Sequence, residues 1–291
     1  MNSKIQCSEV NETSIWIENL VNGRSGLTIK ARQSVFCGSS PFQKIEVYDT
    51  YRFGLVLCLG GSIVLTEKGS EPYNEMMVHP AMIMHKNPQT VCIIGGGDGG
   101  CLKEVLKYQC VERVVVVEID GLVKETIENY FSQFKPGFKD PRTEVIIDDG
   151  YQYLKNSSNT FDLILVDSYD PGGPVRSLES ADFYSLVANR LNSEGLAVFQ
   201  TDSPILREEF LRRAIMNVSS LFAQYKSYIS FMRTFPEGIC SFLVASIQKD
   251  GLDTFSHKRY EQIGDSLRYY NDEIHRGAFL LPQNIRTILR P

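Results

Sequence analysis

Apolar and polar positions follow different patterns in the two parts of the chain. Between residues 14 and 67, four segments alternate partly between apolar and polar residues, and Asn-Gly, Gly-Ser-Ser-Pro and Gly-Gly separate them. Such alternation with turn residues predicts short β-strands. From Glu75 the apolar residues recur at helical spacing, and from residue 90 apolar runs of strand length alternate with amphipathic segments. The chain is therefore predicted to form a small β domain, residues 1–66, and an α/β domain, residues 67–291.

Seven candidate strands follow in the second part of the chain. The runs TVCIIG, RVVVVEID, TEVIIDD, FDLILVDS and LAVFQT come first, and YKSYISFMR and CSFLVASI close the sheet. The first four are almost continuously apolar, which is typical of parallel strands that helices cover on both faces. The predicted covering helices are LKEVLKY, GLVKETIENYF, ADFYSLVANRL and REEFLRRAIMNVSSLF. This alternation indicates a doubly wound α/β domain.

Acidic residues stand where these strands end. In an open parallel sheet, ligands bind beyond the carboxyl ends of the strands, so these residues are candidates for a binding site. The first strand runs into GGGDGG, residues 95–100. The acids that follow the strands in chain order are Asp98, Glu118, Asp149 (with Gly150 behind it), Asp167 with Asp170, and Asp202.

The glycine-rich turn predicts a nucleoside-binding site. Three of its glycines match Gly-x-Gly-x-x-Gly, a pattern that alone also describes a tight turn without a ligand. Glu118 stands about 20 residues further on, where an acid would hold ribose hydroxyls. Asp98 would repel the pyrophosphate of a dinucleotide, so a nucleoside that carries a cation fits the turn better. A sulfonium donor of the S-adenosyl type has that charge, and Asp149 would accept a hydrogen bond from its adenine amino group.

A second pair of acids favours an amine as the other substrate. Asp167 and Asp170 follow the fourth strand in DSYDPGGP, and an isolated pair of this kind is usually a capped turn. Its place at the carboxyl edge of the sheet favours a function instead. An amine arrives as an ammonium ion with a pKa near ~10 and must lose a proton before it attacks a carbon. One carboxylate can accept that proton while the other holds a second amine.

Composition narrows the function classes. The formal net charge of -5 argues against a nucleic-acid partner, which needs a basic face. The apolar runs are too short to span a membrane, and the polar N-terminus lacks the core of a signal peptide. The irregular spacing of the cysteines indicates reduced thiols, and the histidines form no metal-binding spacing. We therefore expect a cytoplasmic protein that binds neither a metal nor a membrane.

Several motifs make the chain resemble the spermidine synthase family of aminopropyltransferases. They are SPFQKIEVYDT, YNEMMVHPAM, IIGGGDGGCLKEVLKY, VVEID, DDG, VDSYDPGGP, FQTDSP and YYNDEIHRGAFLLP, and the similarity spans roughly residues 16–289. The resemblance implies a Rossmann-like, methyltransferase-type seven-stranded sheet with helices on both faces, preceded by the small β domain. It also implies that the aminopropyl group of decarboxylated S-adenosylmethionine is transferred to putrescine, giving spermidine and methylthioadenosine. The donor is then a co-substrate, no prosthetic group is implied, and the assembly is a homodimer or homotetramer.

The resemblance also assigns roles to the site residues. On the donor side, it implies that Asp98 binds the propylamine and that Glu118 binds the ribose. The other donor contacts that it implies are Gln43, Asp149 and Gly150. On the acceptor side, it implies that Asp167 accepts the proton of the amine. The other acceptor contacts that it implies are Tyr73, Asn74, Asp170, Asp202 and Phe235.

Departures from the family pattern lie on the acceptor side. Asn74 stands where the family usually has glutamine or histidine, and Phe235 replaces a tyrosine. Acids that are usual in the family are missing at Gly60, Gly69 and Ser70. The donor motifs are intact, so the acceptor is the open question. Agmatine, cadaverine and spermidine remain alternatives to putrescine.

Three other functions remain open from the sequence. A diamine N-methyltransferase shares this fold but generally lacks the aspartate that is Asp98 here. A non-catalytic paralogue would bind a nucleoside or a polyamine without turnover, and Asp167 together with Tyr73 argues against it. A nicotinamide oxidoreductase agrees with the glycine turn alone, whereas the acids at the ends of further strands disfavour it.

Overall fold

The N-terminal sheet is an antiparallel meander. The protein is described from a computed structural model, which covers residues 14–21, 25–168 and 174–289. The five strands pair in chain order. They are β1 (Ile15–Val21), β2 (Ser25–Ser39), β3 (Lys44–Thr50), β4 (Gly54–Leu59) and β5 (Ser62–Thr66). Gly60 and Gly61 join β4 to β5, and both have positive φ (58° and 87°), as a tight two-residue hairpin turn requires.

A seven-stranded sheet forms the second part of the molecule. Its strands are β6 (Thr90–Gly95), β7 (Arg113–Glu118), β8 (Thr143–Ile147), β9 (Phe161–Asp167), β10 (Leu191–Gln200), β11 (Gln224–Phe231) and β12 (Ile239–Ser246). Their order in the sheet is β11-β12-β10-β9-β6-β7-β8. Strands β6 to β10 are parallel, and β12 runs antiparallel to both of its neighbours. The predicted α/β fold class is confirmed.

Helices connect the strands and cover the sheet. They are α1 (Glu71–Met84), α2 (Gly100–Val105), α3 (Gly121–Tyr130), α4 (Lys135–Phe138), α5 (Gly150–Asn156), α6 (Ala181–Asn189), α7 (Glu208–Leu221), α8 (His257–Ile263), α9 (Asp272–Ala278) and α10 (Gln283–Ile288). Two short 3₁₀ segments span Pro174–Glu179 and Gly264–Ser266. Helices long and apolar enough to cross a membrane are absent from the described part of the chain.

Each parallel strand sends alternate residues to two separate cores. On β6, Val91 and Ile93 face one core, whereas Cys92 and Ile94 face the other. The first core includes residues of α1, α2, α8 and α9, and the second includes residues of α5, α6, α7 and α10. Because both faces of β6, β7 and β9 are buried, these strands are almost continuously apolar, which explains their runs in the sequence.

Helix α1 contains a proline that its surroundings accommodate. Pro80 has no N–H, so the carbonyl of Met76, one turn earlier, cannot receive the usual helical hydrogen bond. The Tyr228 hydroxyl donates to that carbonyl instead, at 2.8 Å. The helix begins at Glu71, earlier than the predicted Glu75, because a proline is favourable in the first turn of a helix and Pro72 stands there.

The two sheets meet at helix α3. Ile45 and Leu57 of the N-terminal sheet share a buried cluster with Ile127 of α3 and with Phe131, the residue that follows the helix. Phe131 is fully buried. This cluster fixes the N-terminal sheet beside the carboxyl ends of the parallel strands. The predicted division of the chain at residue 66 falls between β5 and α1 and stays a prediction.

Replacing Phe131 by alanine tests this contact. The variant Phe131→Ala removes a ring that both parts of the molecule bury, and we expect a loss of about 3–5 kcal/mol in the free energy of unfolding. Denaturant unfolding measures this loss. The control is Met216→Ala on α7, whose side chain is 69% exposed, with an expected change within about 0.5 kcal/mol. Equal losses in the two variants would contradict the proposed packing.

Candidate active site

A cavity opens at the carboxyl ends of the parallel strands, where the sequence predicted a site. The glycine turn after β6, the ends of β7, β9 and β10 and the start of α5 form its walls, and β5 covers it from the N-terminal sheet. Eight predicted site residues line it: Gln43, Tyr73, Asp98, Glu118, Asp149, Gly150, Asp167 and Phe235. Asp170 lies outside the described residues. Within the ranges described, no group of three His, Cys, Asp or Glu side chains could hold a metal ion.

Main-chain groups hold the carboxylate of Glu118 at the end of β7. The N–H groups of Gly97 and Asp120 donate to its two oxygens, at 3.0 and 2.9 Å. A Cβ atom at Gly97 would lie 2.6 Å from this carboxylate, so only glycine allows the approach. Burial raises the pKa of Glu118, although the two hydrogen bonds oppose that shift.

Asp98 is a carboxylate without a cationic partner among the described residues. The Gly100 N–H donates to its Oδ1 at 2.9 Å. Burial raises the pKa of Asp98 to about 7, and the nearby negative charge of Asp167 adds to the shift. Ionised Asp98 is therefore costly without a positive charge beside it, and a cationic ligand would offset that cost.

Asp167 ends strand β9 and receives a short hydrogen bond from α1. The Tyr73 hydroxyl donates to its Oδ1 at 2.5 Å, and the thiol of Cys101 also stabilises the ionised form. Burial nevertheless raises the pKa of Asp167 overall. The pKa of Tyr73 lies well above its ordinary value because of burial and the adjacent carboxylate, so the phenol stays protonated. The Tyr73 ring stacks on Phe235, with 6.5 Å between the ring centroids.

The remaining predicted donor contacts lie on opposite sides of the cavity. Asp149 precedes α5 and caps that helix, because its carboxylate accepts from the Gln152 N–H at 3.0 Å. Gly150 is the first residue of the same helix, and a Cβ atom there would lie 2.4 Å from a methyl group of Ile94. Gln43 reaches the cavity from the loop between β2 and β3.

Two predicted site residues are not among those that line the cavity. The Asn74 side chain packs against Gly100, where a Cβ atom would lie 2.5 Å from the amide oxygen of Asn74. Asp202 has a φ of 57°, and its carbonyl accepts hydrogen bonds from the N–H and hydroxyl of Ser241 at 2.7 and 2.8 Å. Its carboxylate lies 3.8 Å from the guanidinium of Arg207.

Sequence reasoning missed two residues near Asp167. Gln200 ends β10 and lines the cavity. It is 4% exposed, and among the described residues its Oε1 has no hydrogen-bond partner. The place of Gln200 at the end of the fifth strand was the signal that could have identified it. Cys101 was not predicted as a site residue; it is fully buried, and its thiol faces Asp167.

Comparisons with known proteins agree along the whole described chain. Residues 70–254 match the family model described as "Spermine/spermidine synthase domain", and residues 15–67 match "Spermidine synthase tetramerisation domain". The chain is 36% identical over 277 residues to the polyamine aminopropyltransferase of Thermotoga petrophila, with 94% of each chain covered. It is 36% identical over 276 residues to that of Thermoanaerobacter pseudethanolicus, covering 94% of this chain and 98% of the relative.

Solved structures give the same result. A spermidine synthase in complex with the transition state analogue AdoDATO superposes with a TM-score of 0.91 at 33% identity, covering 98% of both chains. The spermidine synthase of Thermotoga maritima superposes with a TM-score of 0.90 at 34% identity, covering 98% of this chain and 97% of the other.

The raised pKa of Asp98 has a consequence for stability that can be measured without a ligand. Between its ordinary pKa of 3.8 and its folded value of about 7, the folded state holds a proton that the unfolded state has lost. Stability from this group therefore falls as the pH rises through that window. The neutral variant Asp98→Asn escapes this loss. We expect it to be more stable than the wild type at pH 8, by a margin that narrows towards pH 5, in thermal unfolding.

The control for this measurement has the opposite sign. Hydrogen bonds from Lys226 and Gln224 lower the pKa of Asp253, which is exposed. Asp253→Asn should therefore cost stability at neutral pH and less in acid. A stability difference between Asp98→Asn and the wild type that stays constant from pH 5 to 8 would contradict the assignment.

Proposed function

This chain belongs to the spermidine synthase family and is a polyamine aminopropyltransferase, and from that premise we propose that it transfers an aminopropyl group from decarboxylated S-adenosylmethionine to putrescine. The products are spermidine and methylthioadenosine. The observation that carries the proposal is the pair Asp98 and Asp167, two carboxylates at adjacent strand ends that line one cavity. The donor brings a sulfonium and an ammonium group, and the acceptor brings two ammonium groups.

The donor side of the proposal rests on residues with fixed geometry. Glu118 accepts hydrogen bonds from the ribose hydroxyls, and Asp149 and Gly150 contact the adenine. Asp98 binds the propylammonium group of the donor. Ordinary S-adenosylmethionine carries a further carboxylate at that end, which Asp98 would repel. The presence of Asp98 in the cavity therefore favours aminopropyl transfer over methyl transfer.

The acceptor side of the proposal centres on Asp167. Its carboxylate orients the attacking amine and accepts the proton, and Tyr73 holds the carboxylate in place. Gln200 lies beside Asp167, and its amide oxygen, which has no hydrogen-bond partner in the described ranges, is suited to accept a hydrogen bond from an ammonium group. Phe235 provides an apolar wall for the methylene chain of the amine.

The proposed reaction is a single in-line displacement. The lone pair of the deprotonated amine attacks the aminopropyl carbon next to sulfur, so a C–N bond forms as the C–S bond breaks. The electron pair of the C–S bond goes to sulfur, which leaves as a neutral thioether. The proton of the amine goes to Asp167, whose raised pKa makes it a better acceptor than an ordinary aspartate. The cavity contributes alignment and exclusion of water.

Putrescine is the proposed acceptor because the aminopropyl transfer requires a primary amine, and because Asp167 and the amide oxygen of Gln200 can both accept hydrogen bonds from ammonium groups. The departures from the family pattern do not add a charged group to the cavity lining. A Cβ atom at Gly69 would lie 2.5 Å from the guanidinium of Arg233. The Ser70 hydroxyl donates to the Thr66 carbonyl at 3.0 Å. Asn74 faces Gly100 rather than the lining.

We further propose that the chain assembles as a homodimer or homotetramer through its N-terminal sheet. The match of residues 15–67 to a tetramerisation domain supports this assembly. Two large apolar side chains on the edge strand β1, Trp16 and Leu20, are 46% and 44% exposed in the monomer. A contact between subunits would remove them from water. The cytoplasmic location stays a prediction.

A product screen tests the reaction and the acceptor together. The purified protein is given decarboxylated or ordinary S-adenosylmethionine, each with putrescine, cadaverine, agmatine or spermidine, and the products are identified by mass spectrometry. We expect spermidine from the decarboxylated donor and putrescine. The variant Asp167→Asn should lower kcat by about 10²–10⁴-fold, because the proton acceptor is lost. A methylated amine, or full turnover by the variant, would contradict the proposal.

The hydrogen bond from Tyr73 predicts a change in pH dependence. The variant Tyr73→Phe keeps the ring that stacks on Phe235 but removes the donor that lowers the pKa of Asp167. The acidic limb of kcat/KM should move to higher pH by about one unit. The control is Tyr228→Phe, which loses a buried hydrogen bond to Met76 on the same helix. A limb that moves in both variants, or in neither, would contradict the assignment.

A further inference from the structure

Asp120 is a buried carboxylate that the proposed reaction does not use. It lies between β7 and α3 and is 1% exposed. Its Oδ1 accepts from the Leu122 N–H at 3.1 Å and caps α3. Its Oδ2 accepts from the Ser40 hydroxyl at 2.7 Å and from the Gln43 side-chain amide at 3.1 Å. One carboxylate thus joins the catalytic sheet to the loop between β2 and β3.

The bond to Asp120 fixes which atom of Gln43 remains for a ligand. A carboxylate only accepts hydrogen bonds, so the amide nitrogen of Gln43 must point towards Asp120. Gln43 lines the cavity, and its amide oxygen is left for a contact there. An oxygen accepts hydrogen bonds from hydroxyl and ammonium groups, and the proposed donor presents both.

Ser40 holds the same loop in one conformation. Its hydroxyl accepts from the main-chain N–H groups of Phe42 and Gln43, both at 3.1 Å, while it donates to Asp120. The Ser40 N–H also donates to the Gln43 carbonyl at 2.9 Å. The loop is therefore a closed turn that the Asp120 carboxylate anchors to the catalytic sheet.

Asp120 also supports Glu118, the proposed contact for the ribose of the donor substrate, through its main chain. The Asp120 N–H donates to Oε1 of Glu118 at 2.9 Å. Glu118 and Gln43 come from different sheets, and Asp120 bonds to both. Its side chain sets the position of one contact, and its main chain sets the position of the other.

We infer that Asp120 is a positioning residue for donor recognition, which orients the Gln43 amide so that its oxygen faces the donor. This inference rests on the proposed function for the identity of the donor. An acceptor-only group is required at Oδ2, because two donors converge there. An amide nitrogen at that position would repel the Gln43 amide nitrogen and turn the amide over, which would present N–H groups to the cavity.

The variant Asp120→Asn tests this inference with little damage to the fold. Asparagine caps a helix as well as aspartate does, so the bond from Leu122 is retained. The amide nitrogen then replaces the oxygen that faces Ser40 and Gln43. We expect affinity for decarboxylated S-adenosylmethionine to fall about tenfold, the effect of one lost hydrogen bond to a charged group. Calorimetry without any amine measures this affinity, and steady-state kinetics should show a higher donor KM with the amine KM unchanged.

Asp162, near the amino-terminal end of β9 and away from the cavity, offers a matched control. It follows the first residue of β9, and its carboxylate accepts from the N–H groups of Gln89 and Thr90, the Thr90 hydroxyl and the Asn192 amide, at 2.7–3.0 Å. It is not among the residues that line the cavity. Asp162→Asn should lower the thermal midpoint and leave donor affinity at the wild-type value. Equal loss of donor affinity in both variants would overturn the inference.

A double-mutant comparison tests whether Asp120 acts through Gln43. The variant Gln43→Ala should also weaken donor binding, and adding Asp120→Asn to it should cause no further loss. Additive losses, or wild-type affinity in Asp120→Asn, would overturn the inference. The proposed reaction fails separately: a wild-type protein that binds the donor but yields no aminopropylated amine would contradict the reaction, and the binding measurements would still decide the role of Asp120.

Discussion

Negative charge buried in one cavity is the constraint on which the rest of this site depends. Burial raises the pKa values of Asp98, Glu118 and Asp167, so each loses part of its tendency to ionise. Without a positive charge beside them, these carboxylates favour protonation, and a ligand that carries positive charge reverses the balance. In the proposed reaction, positive charge on the substrates therefore gains from these carboxylates, in addition to the contacts that Glu118 and Asp149 offer to an adenosine.

The glycine turn is a consequence of this constraint. A buried carboxylate needs donors, and the nearest donors at the ends of parallel strands are main-chain N–H groups. Gly97 and Gly100 bring such groups to Glu118 and Asp98, and a side chain at Gly97 would block the approach. The same glycines that would cradle a phosphate in a dinucleotide enzyme here donate hydrogen bonds to two carboxylates.

Sequence reasoning predicted the fold and the meeting of the acids in one cavity because both follow from strand geometry. Parallel strands place their carboxyl ends together, so acids that follow separate strands had to meet, and Asp98, Glu118 and Asp167 do. Side-chain direction at those ends was harder to predict. Gln200 was missed because only the pairing of Phe199 with Val166 places it beside Asp167.

Asp202 and Asn74, the predicted site residues that do not line the cavity, were also misplaced because side-chain direction is hard to predict. The left-handed backbone of Asp202 turns that residue into a partner of Ser241, and nothing in FQTDSP indicates a positive φ at an aspartate. Asn74 packs on a glycine that is distant in sequence. The two ends of the cavity thus differ in what determines them. Main-chain bonds fix the carboxylates of Glu118 and Asp98, so a motif is enough to describe that end, whereas side chains from several elements surround Asp167. The proposed acceptor contacts therefore depend on packing that a motif does not contain.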